Sequence, residues 1–151
     1  MRFALALIAL VSTSAFACPN LTGSYTVCRS STGNSSGSRD VVVTQSVRNR
    51  ITTFSMTATD EETQERDTTS VIADGKVRTE SETDPESGLV IVSATQASCS
   101  GNALILNNKT TIDNNELAVV RVTITKSGNQ IRQIIAGQAL GNEFSDTVIC
   151  E

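Results

Sequence analysis

The chain has 151 residues, with sixteen acids against twelve Lys and Arg and a net charge of −4. It contains no histidine, which removes the commonest general base, the Ser-His and Cys-His nucleophile pairs and most zinc and copper site types. An acidic chain without a basic cluster is also a poor ligand for nucleic acid, where phosphate neutralisation needs Lys and Arg.

Met1 and Arg2 start the chain, Phe3 to Val11 is an apolar run, and Ala15-Phe16-Ala17 has small residues at both ends. This order is that of a secretory signal peptide covering 1–17, with cleavage near Ala17. The run is too short to span a bilayer, which takes about 20 residues, and no transmembrane segment is expected elsewhere. The remainder, 18–151, is expected to be a single domain, secreted or periplasmic. Cys18 follows the cleavage site, so lipid anchoring through Cys18 is a minor alternative. Phe16 argues against it, as does the odd number of cysteines it would leave.

From there the chain alternates between polar and apolar residues. Strands are expected near 22–30, 39–47, 50–59, 66–73, 76–83, 89–99, 103–109, 116–126, 130–137 and 142–150. Thr52, Phe54, Met56 and Ala58 alternate with hydroxyl residues, and Ala118, Val120, Val122 and Ile124 with Arg121, Thr123 and Thr125. Each pattern is that of a strand with one apolar face. Residues 31–38 read as a Gly/Ser/Asn loop and 60–66 as a short helical turn. Asp74-Gly75 reads as a tight hairpin turn between its flanking runs. Further turns fall at 84–88, 100–102, 113–115, 127–129 and 141–142. No segment of ten residues has a helical period. The fold class is therefore all-β, an antiparallel up-and-down β-barrel of about eight to ten strands, with a β-sandwich as the alternative.

Charge is concentrated in one part of the chain. Segment 60–86 holds ten acids against Arg66, Lys76 and Arg78. Glu80, Glu82, Asp84 and Glu86 alternate, so an extended strand would present them on one face. Such a face suits Ca²⁺ or an acid/base pair in principle, but solvated charge on exposed hairpins is the plainer reading. No cofactor or metal is expected.

Gly23-Ser24-Tyr25 at the start of the first strand resembles the Gly-x-Trp signature of lipocalins (the calycin class), with Tyr in place of Trp. The order of Cys-Pro-x-Leu-x-Gly-x-Tyr, Val43-Thr44-Gln45, Ala73-Asp74-Gly75-Lys76, Cys99-Ser100-Gly101-Asn102-Ala103-Leu104 and a terminal Cys is similar to small exported β-barrel proteins of predatory bacteria. The lipocalin resemblance implies a barrel that binds a small apolar molecule.

Four cysteines allow three pairings. Cys18 with Cys28 is disfavoured, because a strand rising about 3.3 Å per residue takes them past the roughly 7 Å Cα limit of a disulfide. In a closed meander, Cys18 pairs with Cys99 or Cys150 and Cys28 with the other. Cys28 with Cys150 is preferred, because the first and last strands would be neighbours.

Two functions follow as expectations, neither enzymatic. In the first, the barrel encloses a small apolar ligand in a cavity of at least about 300 Å³, lined by Tyr25, Phe54, Met56, Val120, Val122 and Ile124. In the second, the chain is a protein-binding module of the cell envelope, an inhibitor or interaction factor, using loop 31–38 and the acidic 60–86 hairpins. A dry interior with an exposed acidic or apolar patch would favour the second.

Overall fold

Short turns of defined handedness set the topology. Asn49-Arg50, Asp113-Asn114 and Leu140-Gly141 have positive φ at both central residues, the pattern of type I′ hairpins. Gly101 and Gly128, each at φ 58° and followed by Asn, open two further two-residue turns. Such turns match the twist of adjacent antiparallel strands, so each strand is returned beside its predecessor.

The computed structural model describes residues 18–32, 35–60 and 62–151; segment 1–17, with the expected signal peptide, lies outside them. Ten strands follow in order: β1 (Gly23–Ser30), β2 (Ser35–Arg48), β3 (Ile51–Asp60), β4 (Arg66–Ala73), β5 (Val77–Thr83), β6 (Val90–Ser100), β7 (Ala103–Ile112), β8 (Asn115–Ser127), β9 (Gln130–Ala139) and β10 (Asn142–Cys150). All pair antiparallel in one sheet, in the order β4-β3-β2-β1-β10-β9-β8-β7-β6-β5. The expected all-β up-and-down architecture is therefore present as a strongly curled sheet. The first and last strands are neighbours, with Cys28 opposite Cys150.

Three local expectations are refined or corrected. Ser35 to Ser38 belong to β2 and not to a loop 31–38. Segment 60–66 makes a single turn, Gln64 N donating to Asp60 O (3.1 Å), that is not continued as a helix among its described residues: Asp60 Oδ1 accepts hydrogen bonds from the amides of Glu62 (2.9 Å) and Thr63 (2.7 Å) and caps the loop. A carboxylate so placed offers the backbone an alternative to helix. The third correction is the largest. β4 and β5 flank Asp74-Gly75 but do not pair with each other, and they stand at opposite ends of the sheet order. The turn is held to β6 instead. Gly75 N donates to Ala97 O (2.8 Å), and Gln96 Nε2 donates to Gly75 O (2.7 Å).

The core lies on the concave face, nearer the end where the chain enters. Leu21, Tyr25, Leu104 and Cys150 are almost fully enclosed, with Val41, Val43, Phe54, Ala97 and Ile131 around them. Gly23 is required here by Tyr25, whose ring folds back over it. A Cβ on Gly23 would stand 2.7 Å from the phenol oxygen. Tyr25 Oη donates to Leu21 O (3.1 Å), which satisfies the one polar atom of a buried ring. Lys126 closes this floor, its Nζ donating to Thr22 O (2.5 Å) and lying 5.9 Å from the Tyr25 ring centroid. Two disulfides staple the fold, Cys18–Cys99 across the floor and Cys28–Cys150 between the first and last strands.

Candidate functional site: the interior and the open seam

Of several clefts among the described residues, two bear on the functions expected from the sequence. The first is the interior. Register places Phe54, Met56, Val71 and Thr69 on one wall and Leu104, Leu106, Ile124 and Ile131 on the other. They enclose a cavity of about 90 Å³. Of the residues expected to line a ligand cavity, Phe54, Met56 and Ile124 do so. Tyr25 is in the floor beneath it, and Val120 and Val122 are not among its lining. The lining residues missed in the sequence include Val43, Leu104, Leu106 and Ile131. Alternation in 41–43 and 103–106 was their available signal.

Above the cavity the concave face of β6 and β7 carries a band of polar side chains. Asn108 Nδ2 donates to Thr95 Oγ1 (2.9 Å), Thr110 Oγ1 donates to Asn108 Oδ1 (3.1 Å), and Ser93 and Thr110 share a longer contact of 3.4 Å. Val120 sits between Asn108 on β7 and Gly137 on β9. The apolar lining of the cavity therefore stops below Val120, at this polar band, and Ile91 and Ile112 lie opposite each other above it on the same face.

The second place is the seam between β4 and β5. Among the described residues β4 pairs only with β3, and β5 only with β6, so each leaves one edge without a ladder partner there. A cleft of about 340 Å³ lies along it, lined by Thr69, Val71 and Ile72 on one side and Arg78, Glu80 and Thr95 on the other. At its lower end Asp74 and Arg78 form a two-pronged ion pair, with Nη1 to Oδ1 at 2.9 Å and Nη2 to Oδ2 at 2.8 Å. This pair and the Lys76 amide hold the Asp74 carboxyl at a pKa of about 2, well below its usual value.

At its upper end the seam is flanked by two loops of the same construction. Asp84 Oδ1 accepts from the amides of Glu86 (3.0 Å) and Ser87 (2.6 Å), as Asp60 does from Glu62 and Thr63. Each loop then passes through a positive φ, at Gln64 in one and Gly88 in the other. Hydrogen bonds from Thr63 and Ser87 hold the two capping carboxyls below their ordinary pKa. The signal for this pair of loops is Asp followed three residues later by Thr or Ser. Of the four acids expected on one face, Glu80 and Glu82 share the face that β6 turns inward through Ser93 and Ile91. Asp84 and Glu86 belong to the loop.

Among the described residues no three or more of His, Cys, Asp and Glu are grouped to hold a metal ion. None of the cysteines is free. Cys18 Sγ is bonded to Cys99 in this fold, so it is not the free sulfur that lipid anchoring needs. Two disulfides fit an oxidising location. Among the described residues no helix is long and apolar enough to cross a membrane. Compared with known proteins, the chain matches no family, no curated protein and no solved structure.

Proposed function

We propose that this protein is a non-enzymatic, secreted or periplasmic binding module that engages another protein of the cell envelope, as an inhibitor or interaction factor, through the open seam and its two acidic loops. The observation that carries this reading is the contrast in available space: about 90 Å³ inside the barrel against about 340 Å³ along two unpaired strand edges. Ligand sites usually begin near 300 Å³. The side chains support the non-enzymatic part of this reading. There is no histidine, the cysteines are paired, and Asp60, Asp74, Asp84 and Asp146 are all pushed toward stronger acidity. A general acid at neutral pH needs the opposite shift.

The test uses the oxidised chain beginning at Cys18, immobilised and exposed to envelope extract at low and high salt. A protein retained at low salt by the native chain, and lost with Glu80→Lys/Glu82→Lys, supports the reading. A second reading, an apolar ligand in the interior, is favoured by one observation. The cavity walls are largely apolar, and Met56, a flexible side chain 36% exposed, stands at their edge. A thermal-shift screen with fatty acids and lipids tests it. A rise of several degrees with a lipid, and no protein retained from extract, would replace the first reading by the second.

A further inference from the structure

We propose that the seam receives an extended, basic segment of the partner, which adds as a strand between β4 and β5 and completes the barrel. The inference deepens the protein-binding reading above and rests on it.

Backbone geometry is the first support. β4 offers the edge of Arg66–Ala73 and β5 that of Val77–Thr83, and among the described residues neither has a ladder partner on the side facing the other. Unpaired strand edges are templates for another strand. The two edges are kept apart by the local structure. The turn between them is bonded to β6 through Gly75 and braced by the Asp74–Arg78 pair. Closing the seam along its length would require breaking these contacts, whereas a strand added above Arg78, whose Nη1 already donates to Ile72 O (3.4 Å), leaves them intact. Because β4 and β5 run in opposite senses, an added strand is antiparallel to one and parallel to the other.

Side-chain chemistry selects the occupant. Successive residues of an added strand point alternately inward and outward. On the inward side the seam carries Asp67, Glu80 and Glu82 beside Thr69 and Val71, with Arg78 paired to Asp74 at its base. On the outward side it carries Thr68, Ser70, Thr79 and Ser81, with Arg66 at the upper end of β4. Lysine or arginine at alternate positions meets the carboxylates, and β-branched residues between them meet the hydroxyl rows. The wider segment 60–86 has ten acids against three bases, so the local field favours a cation over some distance at low salt. A second copy of this chain is a poor occupant, since it would bring one acidic edge against another. The charges that protect these edges from self-association thus admit a basic strand.

The test is binding of three end-blocked heptapeptides to the oxidised chain from Cys18. The first is Lys-Val-Lys-Thr-Lys-Val-Lys, the second replaces Lys by Glu, and the third is the first with alternate backbone nitrogens methylated. Affinity is read by fluorescence anisotropy, and the site by amide shifts and amide exchange in NMR. The expected result is binding of the first peptide, no detectable binding of the second, and at least tenfold weaker binding of the third. Amide shifts and slowed exchange should be confined to 66–72 and 79–83, and Glu80→Lys/Glu82→Lys should lose the first peptide. Equal affinity for the first and third peptides would mean charge attraction without strand addition, and would overturn the inference while leaving the protein-binding reading standing. No binding of any peptide overturns it as well. The parent reading fails separately, when no protein is retained from the envelope extract.

Discussion

Where β1 meets β10 the barrel is joined by a ladder, by the Cys28–Cys150 disulfide set in that ladder, and by reciprocal bonds of Glu151 with Thr26 N (2.7 Å) and Val27 O (2.9 Å). Where β4 faces β5 the same curled sheet has no ladder among the described residues, and the Asp74–Arg78 pair and a bond from Arg78 Nη1 to Ile72 O (3.4 Å) sit at the base of the turn. The first seam is backed by Tyr25, Cys150 and Ile131 in the core, while every residue of β5 is exposed. Stability in a folded chain is uneven in this way, and segments with few buried apolar groups open at small cost. The closed seam holds the chain together, and the open seam leaves two strand edges without a ladder partner among the described residues.

Breaking the closed seam should have the largest effect. The Cys28–Cys150 bridge spans a sequence separation of 122, for which chain entropy alone gives about 4–5 kcal/mol. The Cys18–Cys99 bridge spans 81, and its entropic contribution is nearly the same, because the dependence on loop length is logarithmic. Cys28 and Cys150 are 7% and 1% exposed, so removing them also disturbs packing. Denaturant unfolding should therefore show Cys28→Ala/Cys150→Ala to be less stable than Cys18→Ala/Cys99→Ala. Equal losses would show that burial at the closed seam adds nothing.

Tyr25 comes next. Tyr25→Ala should cost about 3–5 kcal/mol through the cavity it leaves, and Tyr25→Phe about 1 kcal/mol through the lost bond to Leu21. Thr79→Ala on β5, by comparison, should stay within about 0.5 kcal/mol, as exposed substitutions do. Urea unfolding of the three variants checks the ranking, and a costly Thr79→Ala would mean that the open seam carries structure of its own. On the wall between the seams, a Cβ on Gly137 would stand 2.2 Å from Val119 O. Gly137→Ala therefore forces the β8–β9 backbone apart, at about 1–3 kcal/mol, measurable in the same titration.

The fold was legible in the sequence because alternation and turn chemistry are local. Thr52, Phe54, Met56 and Ala58 do share the concave face, and the first and last strands do meet. Alternation reports which face a residue takes, however, and not how high it stands in the barrel. Val120 has the same phase as Ile124, yet register sets it beside Asn108 and Gly137, above the apolar cavity. The open seam was hidden for a related reason. Asp74-Gly75 has the local chemistry of a hairpin turn, but the turn's bonds to Ala97 and Gln96 connect residues distant in sequence. The Asp-capped loops beside it were obscured by their own acids, since Glu and Gln around 61–65 favour a helical reading.

A smaller effect is expected at the β9–β10 turn, on the closed side. Leu140 has φ 50° and is 77% exposed, a left-handed position that asparagine tolerates better than leucine. Leu140→Asn should raise stability by about 0.5–1 kcal/mol, read as a higher midpoint in thermal unfolding. A lower midpoint would show that the leucine makes a contact worth more than the backbone relief.

The smallest effect compares the two seams by pH. Asp74 at the open seam titrates at about 2, below the roughly 3.9 of an unfolded aspartate. Its stabilising contribution is complete above the unfolded value and is lost as pH falls from about 4 through 2. Asp146 at the closed seam accepts from Ser30 Oγ (2.7 Å) and Ser31 Oγ (2.8 Å) and is likewise lowered, so its contribution has the same sign. The two should differ in what protonation releases. Asp74 and Arg78 brace a turn whose strands do not pair, so acid should loosen amide exchange at 74–78 and leave the core protected. Protonating Asp146 removes a bond beside an intact ladder, and exchange at 146–150 should change little. Amide exchange between pH 5 and pH 2 distinguishes them, with Asp74→Asn as the control that removes the pH dependence at 74–78. Equal loosening on both sides would mean that the ladder and disulfide give the closed seam no local advantage, and the division of labour between the seams would fail with it.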